Sequence, residues 1–160
     1  MGYTTDFSGE FRLDRPLDDE THALLVGLST TRRMKRKGLD TKFGGDGEFY
    51  FNPESTEFGQ EREDSIVDFS RPPSTQPGLW CQWTPTEDKQ GLVWDEGEKF
   101  YDYVEWMEYL IEKILKPRGY VVNGQVTWQG EDSDDKGMID IRANVVHRRE
   151  AIITYEGLDG

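Results

Sequence analysis

The sequence predicts an α+β fold, an antiparallel sheet with two helices packed on one face. A half-buried strand pattern opens the chain, a long amphipathic helix lies near its centre, and several short strands follow one another without intervening helices. All five tryptophans fall between Leu79 and Trp128. Because large aromatic rings bury much apolar area and prefer defined partners, we expect this segment to dictate the core.

The first predicted elements are a strand and a helix. Apolar residues alternate with polar ones over residues 3–13, the period of a strand with one buried face. Asp18 and Asp19 favour a helix start, and the helix is predicted to run to about Arg33. Its predicted inward face consists of Leu24, Leu25 and Leu28.

A long irregular loop is predicted in the middle of the chain. Residues 48–52 (EFYFN) look like a short strand, whereas residues 53–78 mix charge, proline and glycine without any hydrophobic period. We interpret residues 1–160 as a single acidic domain with an irregular surface loop at about 53–78.

The second half of the chain carries the strongest helix pattern. Residues 79–85 and 91–94 predict two short strands, and Asp95 with Glu98 resembles a capping box that starts a helix. The apolar positions of this helix recur at helical spacing and end before Pro117. They are Phe100, Tyr103, Val104, Met107, Leu110, Ile111 and Ile114.

Further strands are predicted near the end of the sequence. Residues 120–128 and 138–142 form a predicted hairpin around the turn GEDSDDKG, and AIITY at 151–155 predicts an edge strand.

The charge balance limits the classes of partner. The chain holds 32 acidic and 19 basic residues, for a formal net charge of −13. Such a field repels nucleic acid and anionic membranes and favours basic partners, so we expect neither direct nucleic-acid binding nor membrane binding. With Cys81 as the single cysteine and no recognisable signal peptide, the protein is predicted to be cytoplasmic. No cofactor is expected, since the glycines match no phosphate-binding motif.

Acidic residues concentrate around the long helix. Residues 87–112 hold nine carboxylates against Lys89 and Lys99, a net charge of −7. This surface is either an ordinary solvent-exposed face, or it imitates the row of phosphates of a nucleic acid and so binds a nucleic-acid-binding protein. On the second interpretation we expect a partner-binding site made of Trp94, Asp102, Glu105, Trp106 and Glu112, with Trp94 or Trp106 anchoring a pocket or interface.

A basic segment interrupts the acidic sequence. It consists of Arg32, Arg33, Lys35, Arg36 and Lys37. It could hold phosphate. We favour two structural interpretations of this segment. It is either a helix C-terminus followed by a mobile loop, or a basic surface that docks to the acidic side of a second copy in a homodimer.

Two possible catalytic or metal sites are weak. The carboxylates of the 131–137 turn are Glu131, Asp132, Asp134 and Asp135. Their spacing fails the calcium-loop pattern, because Ala143 stands where a bidentate glutamate is required, so we expect a solvated turn without a tight divalent site. Cys81 lies between tryptophans and is interpreted as a buried hydrophobe rather than a nucleophile, so no catalytic residue is assigned.

Three segments carry a family resemblance. They are PGLWCQWTPTED, WDEGEKFYDYVEWMEYLI and GYVVNGQVTWQGEDSDDKG. They resemble a family of hypothetical proteins from tailed phages and actinobacteria, which carries no activity to transfer. The resemblance implies a phage or mobile-element setting, in which small acidic accessory proteins often act on host proteins.

The sequence leaves three functional hypotheses. The first is a non-catalytic acidic binding module, phage-borne, that engages a basic or nucleic-acid-handling host protein and inhibits host defence. The second is a small metal-dependent hydrolase acting on nucleotides through the carboxylates of the 131–137 turn. The third is an assembly protein that associates with itself through the basic segment.

Overall fold

A six-stranded antiparallel sheet forms the body of the protein, in a computed structural model that describes residues 2–152. Its strands are β1 (Asp6–Leu13), β4 (Trp83–Pro85), β5 (Gly91–Trp94), β6 (Val122–Gln129), β7 (Lys136–Arg142) and β8 (Val145–Glu150), in the spatial order β4-β5-β1-β6-β7-β8. A separate ribbon pairs β2 (Lys35–Arg36) with β3 (Ile66–Asp68). The helices are α1 (Asp19–Thr30) and α2 (Tyr103–Leu110), which continues as a π-helical turn, Ile111–Leu115. The predicted α+β class is confirmed.

One face of the sheet and both helices share a single core. Phe11 on β1 and Val126 on β6 are buried with Leu28 of α1 and Met107 of α2. The opposite strand positions are mostly exposed, as expected for an antiparallel sheet with one covered face.

The first strand and helix form where they were predicted, although both are shorter, since the strand begins at Asp6. Asp18 accepts a hydrogen bond from the backbone N–H of Thr21 at 2.7 Å and so caps α1. The helix ends at Thr30 because Thr31 is extended. Glycine is required at position 27 because a Cβ there would clash with the ring of Phe51.

The start of the second helix was predicted too early. Helical structure begins at Tyr103, so the capping box predicted at Asp95 and Glu98 is wrong. The predicted apolar stripe is confirmed from Tyr103 onward, where all of its members are buried except Tyr103, which is partly buried. Phe100 is buried too, but it precedes the helix.

Several strand predictions need correction. Residues 48–52 form no strand, and β4 begins only at Trp83. The last strand within the described part of the chain is β8, which follows a tight turn at Ala143 and Asn144 and was not predicted. Of the predicted strand at 151–155, Ala151 and Ile152 lie outside any strand, and the remaining positions lie outside the described residues.

No helix within residues 2–152 combines the length and apolarity needed to cross a bilayer.

Candidate functional site

The exposed side of α2 and its π-helical turn carries a row of carboxylates. They are Asp102, Glu105, Glu108 and Glu112, here called the acidic row, and all four are exposed as predicted. Only Glu112 forms an ion pair among the described residues, with Lys116 at 3.7 Å. Exposed pairs of this kind contribute little to stability. The acidic row is therefore not needed to hold the fold together.

Asp102 stands out within the acidic row. It occupies the N-cap position of α2 in the left-handed conformation (φ 57°) and makes no side-chain capping bond. Partial burial, and secondly the charge of Glu105, raise the pKa of Asp102 above its ordinary value. Aspartate enters the left-handed region more readily than most residues, so the notable feature is a carboxylate that does not cap its own helix.

The segment before Asp102 is strained as well. Glu96 (φ 67°) and Lys99 (φ 59°) also adopt left-handed conformations. Each such residue raises the free energy of the folded state by about 1–3 kcal/mol relative to a relaxed backbone. This feature could not be predicted from the sequence, because glutamate and lysine have no preference for a positive φ.

Two cavities lie at the two ends of the acidic row. One, of about 340 Å³, is lined by Tyr101, Asp102, Glu105 and Arg148 among others. The second, of about 320 Å³, lies between Glu108 and Glu112 on the helix side and Val145 and Val146 on β8. Tyr101 and Val145 are more than half exposed. The carboxylates therefore have an exposed apolar side chain near each end.

The two tryptophans predicted to anchor a partner occupy different environments. Trp106 is 0% exposed and packs edge-on against Tyr109, so its predicted place in a pocket or interface is wrong. Trp94 is only partly buried, and its Nε1 donates to Gln82 Oε1 at 3.1 Å. Gln82 in turn donates to the carbonyl of Glu98. Trp94 thus lies beneath the strained segment and not in the acidic row.

The basic segment is neither a helix C-terminus nor an uninterrupted cationic surface. Arg33 is 1% exposed. Its guanidinium donates to the backbone carbonyls of Gly47, Glu48 and Tyr50 and to the side chain of Gln76. Burial lowers the pKa of Arg33 to about 10. This arginine satisfies the carbonyls of a segment that has no strand partner.

Arg36 plays the same structural part for residues 53–78, which were predicted as an irregular loop but contain the short strand β3. It is 1% exposed and donates to the Gly59 carbonyl at 2.6 Å and to Glu63 at 2.9 Å. Lys35 is partly buried and Lys37 exposed, and both lie in or next to β2. Because Arg33 and Arg36 are buried, the segment does not present its charges together at the surface. The two arginines are therefore not accessible to a phosphate or to a second copy of the protein.

The acidic turn at 131–137 connects β6 and β7 as predicted. Asp135 accepts hydrogen bonds from the hydroxyl of Tyr3 at 2.6 Å and from Trp128 Nε1 at 3.1 Å, so its carboxylate has a structural role. Glu131, Asp132 and Asp134 are exposed. Across residues 2–152, no group of three or more His, Cys, Asp or Glu is placed to hold a metal ion.

Cys81 is a buried thiol, as predicted. It is 1% exposed, and burial raises the pKa of its thiol to about 12. Since the thiolate is the reactive form, this environment opposes nucleophilic chemistry.

Comparison with known proteins found no match among family models, curated proteins or solved structures.

Proposed function

We propose that this protein is a non-catalytic binding module that engages a basic protein through the acidic row of α2. The observation that carries the proposal is that most carboxylates of the acidic row are exposed and have no cationic partner within the described residues. Asp102, Glu105 and Glu108 are exposed and make no ion pair within the described residues. A surface of this kind steers a cationic partner and accepts its lysine and arginine side chains.

The surroundings of the acidic row support contact with a protein rather than with simple counterions. Tyr101 and Val145 offer apolar area beside the carboxylates, and protein interfaces combine apolar anchors with a polar rim. The phage setting implied by the family resemblance adds the proposal that the partner is a basic, nucleic-acid-handling host protein whose inhibition protects the phage.

An oligolysine peptide provides a defined probe of this surface. Titration followed by NMR should shift the amide resonances of α2 more than those of the exposed 131–137 turn. Asp102→Lys/Glu105→Lys/Glu112→Lys should abolish the shifts on α2. The matched control is Glu131→Lys/Asp132→Lys/Asp134→Lys, because both triple variants change the formal net charge from −13 to −7.

The two variants separate a local site from general charge attraction. If both weaken peptide binding equally, the protein binds cations only through its overall field and the proposed site is wrong.

A further inference from the structure

Two exposed aromatic side chains and one partly buried one lie on three segments that meet at Arg32. Phe58 is 58% exposed and Phe69 44% exposed, while Trp80 is partly buried. The rings of Phe58 and Trp80 meet edge to face, with centroids 6.0 Å apart. On a monomeric protein a contiguous exposed apolar patch marks an interaction site, whereas a single exposed apolar residue is normal.

Arg32 joins the three segments that carry these rings. Its Nε and one terminal nitrogen donate to the Phe69 carbonyl at 3.1 and 3.0 Å, and its backbone N–H donates to the Phe58 carbonyl at 2.9 Å. Its guanidinium also lies 5.8 Å from the centroid of the Trp80 ring. Aromatic residues and arginine are the types most enriched among residues that dominate binding energy.

The backbone holds Phe58 in place at a conformational cost. Phe58 has φ 59°, and a positive φ is a genuine outlier for a bulky residue. The neighbouring Gly59 carbonyl is bound by the buried Arg36, which fixes this part of the loop. The fold therefore maintains strain at a residue whose side chain it leaves in solvent, which is the pattern of a preformed binding position.

The charges near the cluster indicate the sign of its partner. Residues 54–68 hold six carboxylates against Arg62, a net charge of −5. Two of the six are already paired, Glu63 with Arg36 at 2.9 Å and Asp68 with Arg71 at 3.6 Å. The other four, which include Glu57 beside Phe58 in the chain, form no ion pair within the described residues and outnumber Arg62. A second copy of this protein, itself at −13, would meet repulsion here, whereas a cationic segment would be attracted.

We propose that Phe58, Phe69 and Trp80, arranged around Arg32, form a second docking surface that takes an apolar side chain of a basic, amphipathic protein segment. Shape and apolar contact come from the rings, and the flanking carboxylates select for positive charge. This surface shares no residue with the acidic row, and its existence does not depend on binding there.

A leucine–lysine peptide of helical spacing tests the proposal, with the indole N–H resonance of Trp80 as the local reporter. The peptide should shift that resonance, and Phe58→Ser/Phe69→Ser should weaken the local binding by about tenfold, the equivalent of roughly 1.4 kcal/mol. Ile152→Ser, which removes an apolar side chain that is 88% exposed, is the matched control and should bind as the unmodified protein does. A serine–lysine peptide of equal charge should leave the Trp80 resonance in place.

Two further results are decisive. The Trp80 shift should persist when Asp102, Glu105 and Glu112 are replaced by lysine, which separates this surface from the acidic row. An unshifted Trp80 resonance, or unchanged affinity in the double serine variant, would overturn the proposal. So would sedimentation showing that the unmodified protein is a dimer and the double variant a monomer, because the cluster would then be covered by a second copy.

Discussion

Tyr109 on α2 donates its hydroxyl hydrogen to Glu48 Oε2 at 2.6 Å. The same carboxylate oxygen accepts from Thr75 at 2.7 Å, and the Tyr109 hydroxyl accepts from Gln76 at 3.1 Å. Burial, and secondly the bond to Glu48, raise the pKa of Tyr109 above its ordinary value. This network ties the irregular middle of the chain to the helix that presents the acidic row.

Tyr109→Phe should lower the free energy of unfolding by about 1–3 kcal/mol, because it removes a hydroxyl from a buried network and leaves its partners unsatisfied. Urea unfolding measures the change. Tyr101→Phe, at an exposed position, is the control and should stay within about 0.5 kcal/mol of the unmodified protein. Equal effects at the two positions would show that the network contributes nothing specific.

Trp106 and Trp83 offer a matched comparison in the core. Both are buried, but Trp83 Nε1 donates to the Tyr103 carbonyl at 2.9 Å, whereas Trp106 Nε1 has no hydrogen-bond partner among residues 2–152. Replacing Trp83 by Phe loses a hydrogen bond, while replacing Trp106 by Phe removes an unsatisfied buried donor. Trp83→Phe should therefore destabilise the protein by about 1–3 kcal/mol more than Trp106→Phe. Chemical denaturation of the two variants checks this, and the opposite order would contradict it.

Arg36 should control the order of the loop that carries Phe58. Arg36→Met leaves the Gly59 carbonyl without its donor and removes the cation 3.9 Å from the Tyr50 ring centroid. The variant should lose about 2–4 kcal/mol of stability, since hydrogen bonds to charged groups are strong. Hydrogen exchange should accelerate over residues 57–66. Lys37→Met, at an exposed neighbouring position, should leave exchange unchanged, and equal exchange in both variants would rule out this role of Arg36.

Alkaline pH should destabilise the fold through Cys81. Burial raises the pKa of its thiol from 9.0 to about 12, so the unfolded chain releases a proton that the folded chain keeps. The stabilisation is complete below pH 9 and is lost as the pH rises towards the folded pKa. Between about pH 8 and about pH 10.5, ionisation of this thiol in the unfolded chain should lower the free energy of unfolding by about 2 kcal/mol. Cys81→Ala should flatten the pH dependence of urea unfolding by that amount, and an unchanged slope would show that the thiol is not protected.

The elements with a regular hydrophobic period were predictable from sequence. The apolar stripe of α2 and the leucines of α1 recur at the 3.6-residue period of a helix, and this spacing predicts which face of each helix is buried. β8 was missed because VVHRRE has no alternation, and as an outer strand it is mostly exposed on both faces. The start of α2 was misjudged because Phe100 is buried without being helical.

Contacts between distant segments were not predictable. Arg33 and Arg36 look like surface charges until the carbonyls of Gly47, Glu48 and Gly59 are brought to them. Trp106 lies outside the predicted stripe, yet α2 is covered on a second side by the segment that carries Glu48. The exposure of the acidic row was predictable, because charged residues at helical spacing opposite an apolar stripe face water.

The most direct test of the central claim is the rate at which a basic partner, isolated by affinity capture, associates with the protein at low salt. Asp102→Lys/Glu105→Lys/Glu112→Lys should slow association at least tenfold, an expected effect of losing electrostatic steering. The difference should fade as the Debye length falls from about 10 Å at 0.1 M salt to about 3 Å at 1 M. The control Glu131→Lys/Asp132→Lys/Asp134→Lys should associate close to the unmodified rate. Association of the acidic-row variant at the unmodified rate in low salt would contradict the assignment of α2 as the binding surface.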